Sequence, residues 1–288
     1  MNLNKKIKCV FTNNKKTTGI MYAVGSLVFM GSFLMPAYAV MEHDVKSETE
    51  ANRWSGYVSG GYTRNVYDID SYYAYEAYNM DGRVSYRTDF GNLILTVGGE
   101  LETQHGKESS FYDPLVEYST HAYQLSDTVK INGSVGVYLP ASRNSKLENL
   151  QYAPRVAAYI YWSPLEKLRF YLSPRYRYNV YQYQTAGQQV LIEHIFDTLV
   201  DGLWMFNSNL YLEVNGRYRM SQNHYGKHMD DSFTFAQELG WQFNEDWVFA
   251  LGHNNSGGFY HPEIGPSEGF DIYNKKSSTF YLSLTRYL

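Results

Sequence analysis

From about residue 50 to the C-terminus, apolar side chains recur at every second position. Tyr78, Met80, Val84 and Tyr86 alternate with Asn79, Asp81, Arg83, Ser85 and Arg87. Val129, Ile131, Val135 and Val137 alternate with Lys130, Asn132 and Ser134, and Leu168, Phe170 and Leu172 with Arg169, Tyr171 and Ser173. Leu210, Leu212, Val214, Tyr218 and Met220 interleave with Tyr211, Glu213, Asn215, Arg217 and Arg219. Phe233, Phe235, Leu239 and Trp241 form another row, and Phe280, Leu282, Leu284 and Leu288 the last. A period of two places one face of a strand against apolar material and the other against water.

The connections alternate too. Short ones fall at 88–91, 126–127, 163–167, 206–209 and 243–246, and long ones at 67–75, 104–115, 140–150, 179–189, 221–230 and 254–276. Tight turns at one end and longer loops at the other describe an all-β, antiparallel up-and-down transmembrane barrel. The segments predict about twelve strands of about 9–13 residues, long enough to cross hydrocarbon when tilted. A soluble sandwich or lipocalin-like barrel would instead turn its polar face outward. Few lysines lie on the polar parity, and rings gather at strand ends (Trp162, Trp204, Trp241, Trp247, Tyr178, Tyr218, Tyr287), which favours the membrane form.

Composition then narrows the class. The 288 residues are 44% apolar and 17% aromatic, with 29 Tyr and a net charge of −4. No basic face for nucleic acid is implied, and a mean hydropathy of −0.44 excludes a bundle of several membrane helices. Lys5, Lys6, Lys8, Lys15 and Lys16 precede an apolar run from Gly19 to Met35 and an Ala37-Tyr38-Ala39 site. This order predicts a signal peptide over 1–39, with an N-terminal periplasmic segment at 40–52 and the barrel at 53–288. Cleavage would remove five lysines and the only cysteine, Cys9, leaving a net charge of about −9 on a chain without thiols.

If the apolar rows face lipid, the other parity lines a lumen. It supplies Arg83, Arg87, Arg155, Arg169, Arg175, Arg177, Arg217 and Arg219, the acids Glu100, Glu193, Asp197, Asp201, Glu213 and Glu238, and Tyr159, Tyr161, Tyr171 and Tyr211. A permanently charged arginine row suits anions and pairs well with carboxylates. The same acids could neutralise those arginines and plug the lumen. With twelve strands the bore is wider than side chains readily fill, which favours a narrow channel.

The stretch 168–184, LRFYLSPRYRYNVYQYQ, resembles the central strand of KdgM-type oligosaccharide porins. The resemblance implies a twelve-stranded outer-membrane channel for acidic oligosaccharides and sialic acid with an arginine-lined lumen. Arg175 and Arg177, in the R-Y-R-Y run, carry over position by position. This chain departs from the pattern in its length, its larger number of acids and its terminal Leu288 where such barrels end in Phe. A carboxylate beside every arginine would cancel anion preference.

Two other readings remain. Outer-membrane lipid hydrolases place a His and a Ser two residues apart on one face of a wall strand. Here His253 and Ser256 are three apart in GHNNSGG, so a bulge would be needed to bring them together, and otherwise they begin a glycine-rich loop. A structural or adhesive barrel with an ion-paired, closed lumen is the third. His224 and His228 in HYGKH, and Asp68, Asp70 and Glu76, read as solvated loop residues. No cofactor or metal is expected. The expected partners are outer-membrane lipid and lipopolysaccharide, small hydrophilic solutes and the barrel-assembly machinery, with no nucleic acid.

Overall fold

The computed structural model describes residues 53–104, 109–187, 189–261, 265–266 and 270–288. The signal-peptide and periplasmic readings of 1–39 and 40–52 lie outside the described residues. Twelve strands form the wall: β1 Trp54–Asn65, β2 Glu76–Arg87, β3 Gly91–Glu102, β4 Leu115–Thr120, β5 Val129–Tyr138 and β6 Leu150–Leu165. They continue with β7 Leu168–Tyr178, β8 Ile192–Met205, β9 Leu210–Asn223, β10 His228–Gln242, β11 Trp247–Gly258 and β12 Thr279–Tyr287. Each pairs antiparallel with its sequence neighbour. The last pairs with the first, from Tyr57↔Tyr287 to Asn65↔Thr279, so the sheet is a closed barrel. Closure matters because a free strand edge in hydrocarbon would leave backbone N–H and C=O groups unpaired.

The short connections are made by side chains that imitate backbone acceptors. Asn207 Oδ1 accepts from the N–H groups of Asn209 and Leu210 at 2.8 and 2.9 Å, and Asn244 Oδ1 accepts from Asp246 and Trp247 at 2.9 Å each. These Asx turns let four residues reverse the chain. The 221–230 connection is shorter than the sequence pattern implies. Strands β9 and β10 extend to Asn223 and from His228, and Gly226 takes a positive φ of 73° in the turn between them.

Strand β4 departs from the expected lengths in the other direction. It has six residues, and Ser109–Phe111 continues the pairing with β3 farther up. Between the two pieces Tyr112 to Pro114 interrupt the regular ladder, although the Tyr112 N–H still donates to Gly98 O and the Leu139 N–H to Pro114 O, each at 2.9 Å. The Tyr112 hydroxyl donates to Glu100 at 3.1 Å, while the Asp113 carboxylate accepts from the N–H groups of Ala141 and Ser142 at 2.8 and 2.7 Å. Asp113 thereby anchors the 139–149 loop and its short helix α1, Arg143–Leu147, whose N-cap is Ser142.

Outward positions are apolar and exposed, among them Val58, Met80, Leu95, Val135, Val156, Val200, Leu239, Leu251 and Leu282. All five tryptophans stand near the short-turn ends of their strands. Four lean on a second ring: Trp54 on Tyr86 at 4.8 Å, Trp162 on Phe170 at 5.1 Å, Trp204 on Phe206 at 5.2 Å and Trp241 on Phe243 at 5.7 Å. Toward the long-loop ends Tyr62 meets Tyr78 at 5.5 Å and Tyr176 meets Phe196 at 4.8 Å. Two aromatic girdles with aliphatic side chains between them match the two interfaces and the core of a bilayer.

Inside, two glycines make room for tyrosines. The Tyr211 ring lies across Gly240, where a Cβ would stand 2.0 Å from it, and the Tyr281 ring lies across Gly252 at the same separation. Gly60, on the outward face, has nothing within 4 Å of its Cβ position. Gly240→Ala and Gly252→Ala should therefore each lower stability by about 1–3 kcal/mol, and Gly60→Ala should leave it nearly unchanged. Urea unfolding of the barrel in lipid vesicles checks this, and equal midpoints for all three variants would contradict it.

Candidate functional site

The register assigns every inward residue. Arg155 faces Arg177 and Ala157 faces Arg175 across β6–β7. Arg175 faces Asp197 across β7–β8, and Asp197 faces Arg219 across β8–β9, where Leu199 faces Arg217. The five arginines thus occupy one tier on three strands, β6, β7 and β9, with Asp197 on the intervening β8. The tier lies in the long-loop half of the lumen.

Three of the five are ion-paired, by two carboxylates. Asp197 takes Arg217 through a paired contact whose Nε–Oδ1 arm is 2.9 Å, and it takes Arg219 Nε at 2.9 Å on the same oxygen. Glu117 on β4 stands 3.5 Å from Arg155 and accepts from the Tyr159 and Ser134 hydroxyls. Arg175 and Arg177 have no such partner: among the described residues no carboxylate oxygen lies within 4.0 Å of either guanidinium. Arg175 donates to the Ser173 and Tyr171 hydroxyls at 3.0 and 3.2 Å, and Arg177 lies over the Tyr138 ring at 5.3 Å. Both are more than nine-tenths buried. Hydroxyls and a ring face orient a guanidinium without cancelling its charge.

The tyrosines repeat one device on neighbouring strands. Arg155 donates to the Tyr159 hydroxyl four residues along β6, and Arg175 to the Tyr171 hydroxyl four residues along β7, each at 3.2 Å. In a strand, residues i and i+4 share a face. The two rings stack at 5.9 Å with 26° between planes. With Leu199, Leu203, Tyr211 and Val248 they form a buried cluster toward the short turns.

The remaining predicted residues are dispersed. Arg83 stands inward on β2 between Tyr57 and Thr96, within electrostatic reach of Glu117. Arg87, at the short-turn end of β2, is exposed, and Arg169 near the start of β7 faces Leu203. Tyr161 is inward beside Tyr171 at 5.3 Å. Glu100 accepts from Tyr75 and Tyr112 at 3.2 and 3.1 Å. Asp201, Glu213 and Glu238 are together but apart from the arginines, four residues farther toward the short turns. Glu193 sits at the irregular start of β8, where it accepts from Tyr178 at 2.8 Å and meets His224 and His194 at 3.2 and 3.4 Å. His224 is therefore packed against a carboxylate instead of solvated, and His228 begins β10 and pairs with Asp231 at 2.8 Å. Glu76 likewise has partners, the Tyr62 hydroxyl and Gln104 at 2.7 Å.

The hydrolase geometry is corrected by the pairing of β10 with β11. The register runs without a bulge from Gln242↔Val248 to Ser232↔Gly258, so residues 253–256 belong to a regular strand and not to a loop. His253 points outward, between Tyr273 and Phe280 at 5.9 and 5.0 Å, whereas Ser256 shares the inward parity of Thr234. The wall of the barrel separates the base from the hydroxyl.

Sequence reading missed Glu117 and Tyr138, the neighbours that distinguish Arg155 from Arg177. Glu117 lies in the shortened β4, whose six residues give too little alternation to set its parity. It also missed Glu148, at the mouth beside Tyr181 and Arg177. Burial lifts the Glu148 carboxyl above its ordinary range, while a Tyr181 hydrogen bond and the Arg177 charge draw it back.

No protein-family model and no curated protein sequence matches the chain. Solved structures of similar architecture include a loop-deleted OmpT, an outer membrane protein of Vibrio cholerae, at 8% identity and a TM-score of 0.46, covering 82% of this chain and 98% of that one. The KdgM porin in complex with disordered oligogalacturonate aligns at 9% identity and a TM-score of 0.45, covering 79% and 98%. The outer membrane channel DcaP of Acinetobacter baumannii aligns at 8% and 0.41, covering 82% and 96%.

The double load on Asp197 is testable. Asp197→Asn leaves two neighbouring guanidiniums with no counter-charge, and stability should fall by about 3 kcal/mol, the lower end for a broken buried pair because Arg219 keeps some solvent access. An unchanged urea midpoint would contradict this assignment of the pair.

Proposed function

We propose that this protein is a bacterial outer-membrane channel for the passive diffusion of small hydrophilic solutes, with anionic solutes such as oligosaccharides favoured. In this reading the barrel-assembly machinery inserts the barrel among outer-membrane lipid and lipopolysaccharide, and nucleic acid has no part. One observation carries the proposal: Arg175 and Arg177 face the lumen, buried, with no carboxylate at ion-pair distance among the described residues.

Opposed charges in a confined, low-dielectric lumen cancel, so the five-arginine tier presents its net field through the arginines left over. Asp197 and Glu117 bring two negative charges to five positive ones. The surplus favours an anion at that depth. Below it, Tyr161, partly exposed beside the buried Tyr159–Tyr171 stack, offers a ring face of the kind that packs against sugar rings.

Planar-bilayer recording tests the reading. The folded protein should give discrete openings, and in a potassium chloride gradient its reversal potential should show chloride preference. Arg175→Gln with Arg177→Gln should shift that potential toward zero or to cation preference. Absence of openings from correctly folded protein would overturn the channel and favour a sealed, structural barrel. A wild-type reversal potential near zero would remove the anion preference alone.

A further inference from the structure

Four residues below the arginines along β8 and β9 the charge reverses. Asp201 follows Asp197 on β8, Glu213 precedes Arg217 on β9, and Glu238 on β10 is directly opposite Glu213. Four strand residues separate the Cα atoms by about 13 Å, and Arg175 shortens the gap between charges by reaching back to the hydroxyl of Tyr171, which is paired with Asp201. The three carboxyls are among the most buried groups in the protein, exposed by only 1%, 2% and 4%.

Their surroundings are unequal. Glu238 accepts from the Tyr211 hydroxyl at 3.0 Å on one oxygen and from the Tyr281 hydroxyl at 2.9 Å on the other. The two donors are held there by Gly240 and Gly252, whose missing side chains let both rings lie against the wall. Asp201 and Glu213 touch each other. Otherwise neither oxygen of Asp201 meets a hydrogen-bond donor, and neither does Oε2 of Glu213. Among the described residues no Lys or Arg lies within 4.0 Å of any of the three.

Burying three carboxyls against two tyrosine hydroxyls and the Asn215 amide is unfavourable unless the carboxyls hold protons or positive charge completes the site. Among the described residues none places a Lys or Arg at ion-pair distance here, though the tier above carries surplus positive charge. We infer that Asp201, Glu213 and Glu238 form a cation-binding tier beneath the arginines, and that the lumen suits amphoteric solutes bearing an anionic and an ammonium group on one molecule. The anionic end sits against Arg175 and Arg177. The ammonium end donates to the free oxygens of Asp201 and Glu213, with Glu238 fixed beside them by its two tyrosines. This assignment rests on the channel reading and narrows its solute class.

The test is calorimetric and needs no conduction. Folded protein in detergent is titrated with 6-aminohexanoate, hexanoate and hexylammonium. The amphoteric probe should bind at least tenfold more tightly than hexanoate. Asp201→Asn with Glu213→Gln should reduce it to the hexanoate level while leaving hexanoate itself unchanged. Should that double variant fail to fold, Glu238→Gln alone should lower 6-aminohexanoate and hexylammonium affinity together. Equal binding of 6-aminohexanoate and hexanoate to the wild type would overturn the inference, as would an advantage that survives the substitutions. Bilayer recording of the same preparation separates the two failures. Openings without an ammonium advantage sink the cation tier only, whereas tight amphoteric binding without openings sinks the channel.

Discussion

Everything in this molecule depends on the pairing of the last strand with the first. Nine register pairs between β12 and β1 close the sheet. A closed sheet satisfies its backbone polar groups within the wall, which is the condition for lying in hydrocarbon at all. Closure also fixes parity. Once Tyr57 is inward, antiparallel pairing carries that assignment around the ring through Arg83, Thr96, Leu115 and Tyr138 to Ala153, and so on to Tyr287. A side chain on one strand then has its lumenal neighbours set by residues more than two hundred positions away in sequence.

The lumen shows what that constraint permits. Charges that would be too costly inside an ordinary core are tolerated where they can be matched across adjacent strands. Asp197 and Glu117 match three of the five arginines of one tier. Tyrosine hydroxyls and a ring face hold the other two without neutralising them. The carboxyl tier below repeats the arrangement with the sign reversed, and there again tyrosines supply the donors. So the abundance of tyrosine has two physical origins. Some rings stand at the interfaces with water, and others are polar spacers between like charges.

Most of the architecture was legible in the sequence because a period of two is a local signal. The parity of Arg155, Arg175, Arg177, Arg217 and Arg219, and of Asp197, Asp201, Glu213 and Glu238, follows from alternation alone. What alternation does not encode is register. Asp197 could have matched Arg175, its direct partner across β7–β8, but takes Arg217 and Arg219 instead. Glu117 escaped notice because β4 is too short to alternate visibly. His253 and Ser256 were misplaced for a related reason: GHNNSGG has the composition of a loop, yet its pairing with β10 is regular. Composition describes a residue's preference, and pairing across two strands overrides it.

The central claim is that the inward face at the arginine tier carries a surplus of positive charge. Ala157 is inward and directly opposite Arg175, while Val156 beside it points to lipid. With Cys9 replaced by serine, Ala157→Cys and Val156→Cys each place a single thiol at a chosen face of that tier. Modification rates with an anionic and a cationic methanethiosulfonate reagent then read the local potential. The account predicts that Cys at 157 reacts several-fold faster with the anionic reagent and that Cys at 156 reacts with neither. Equal rates at 157, or a preference for the cationic reagent, would contradict it.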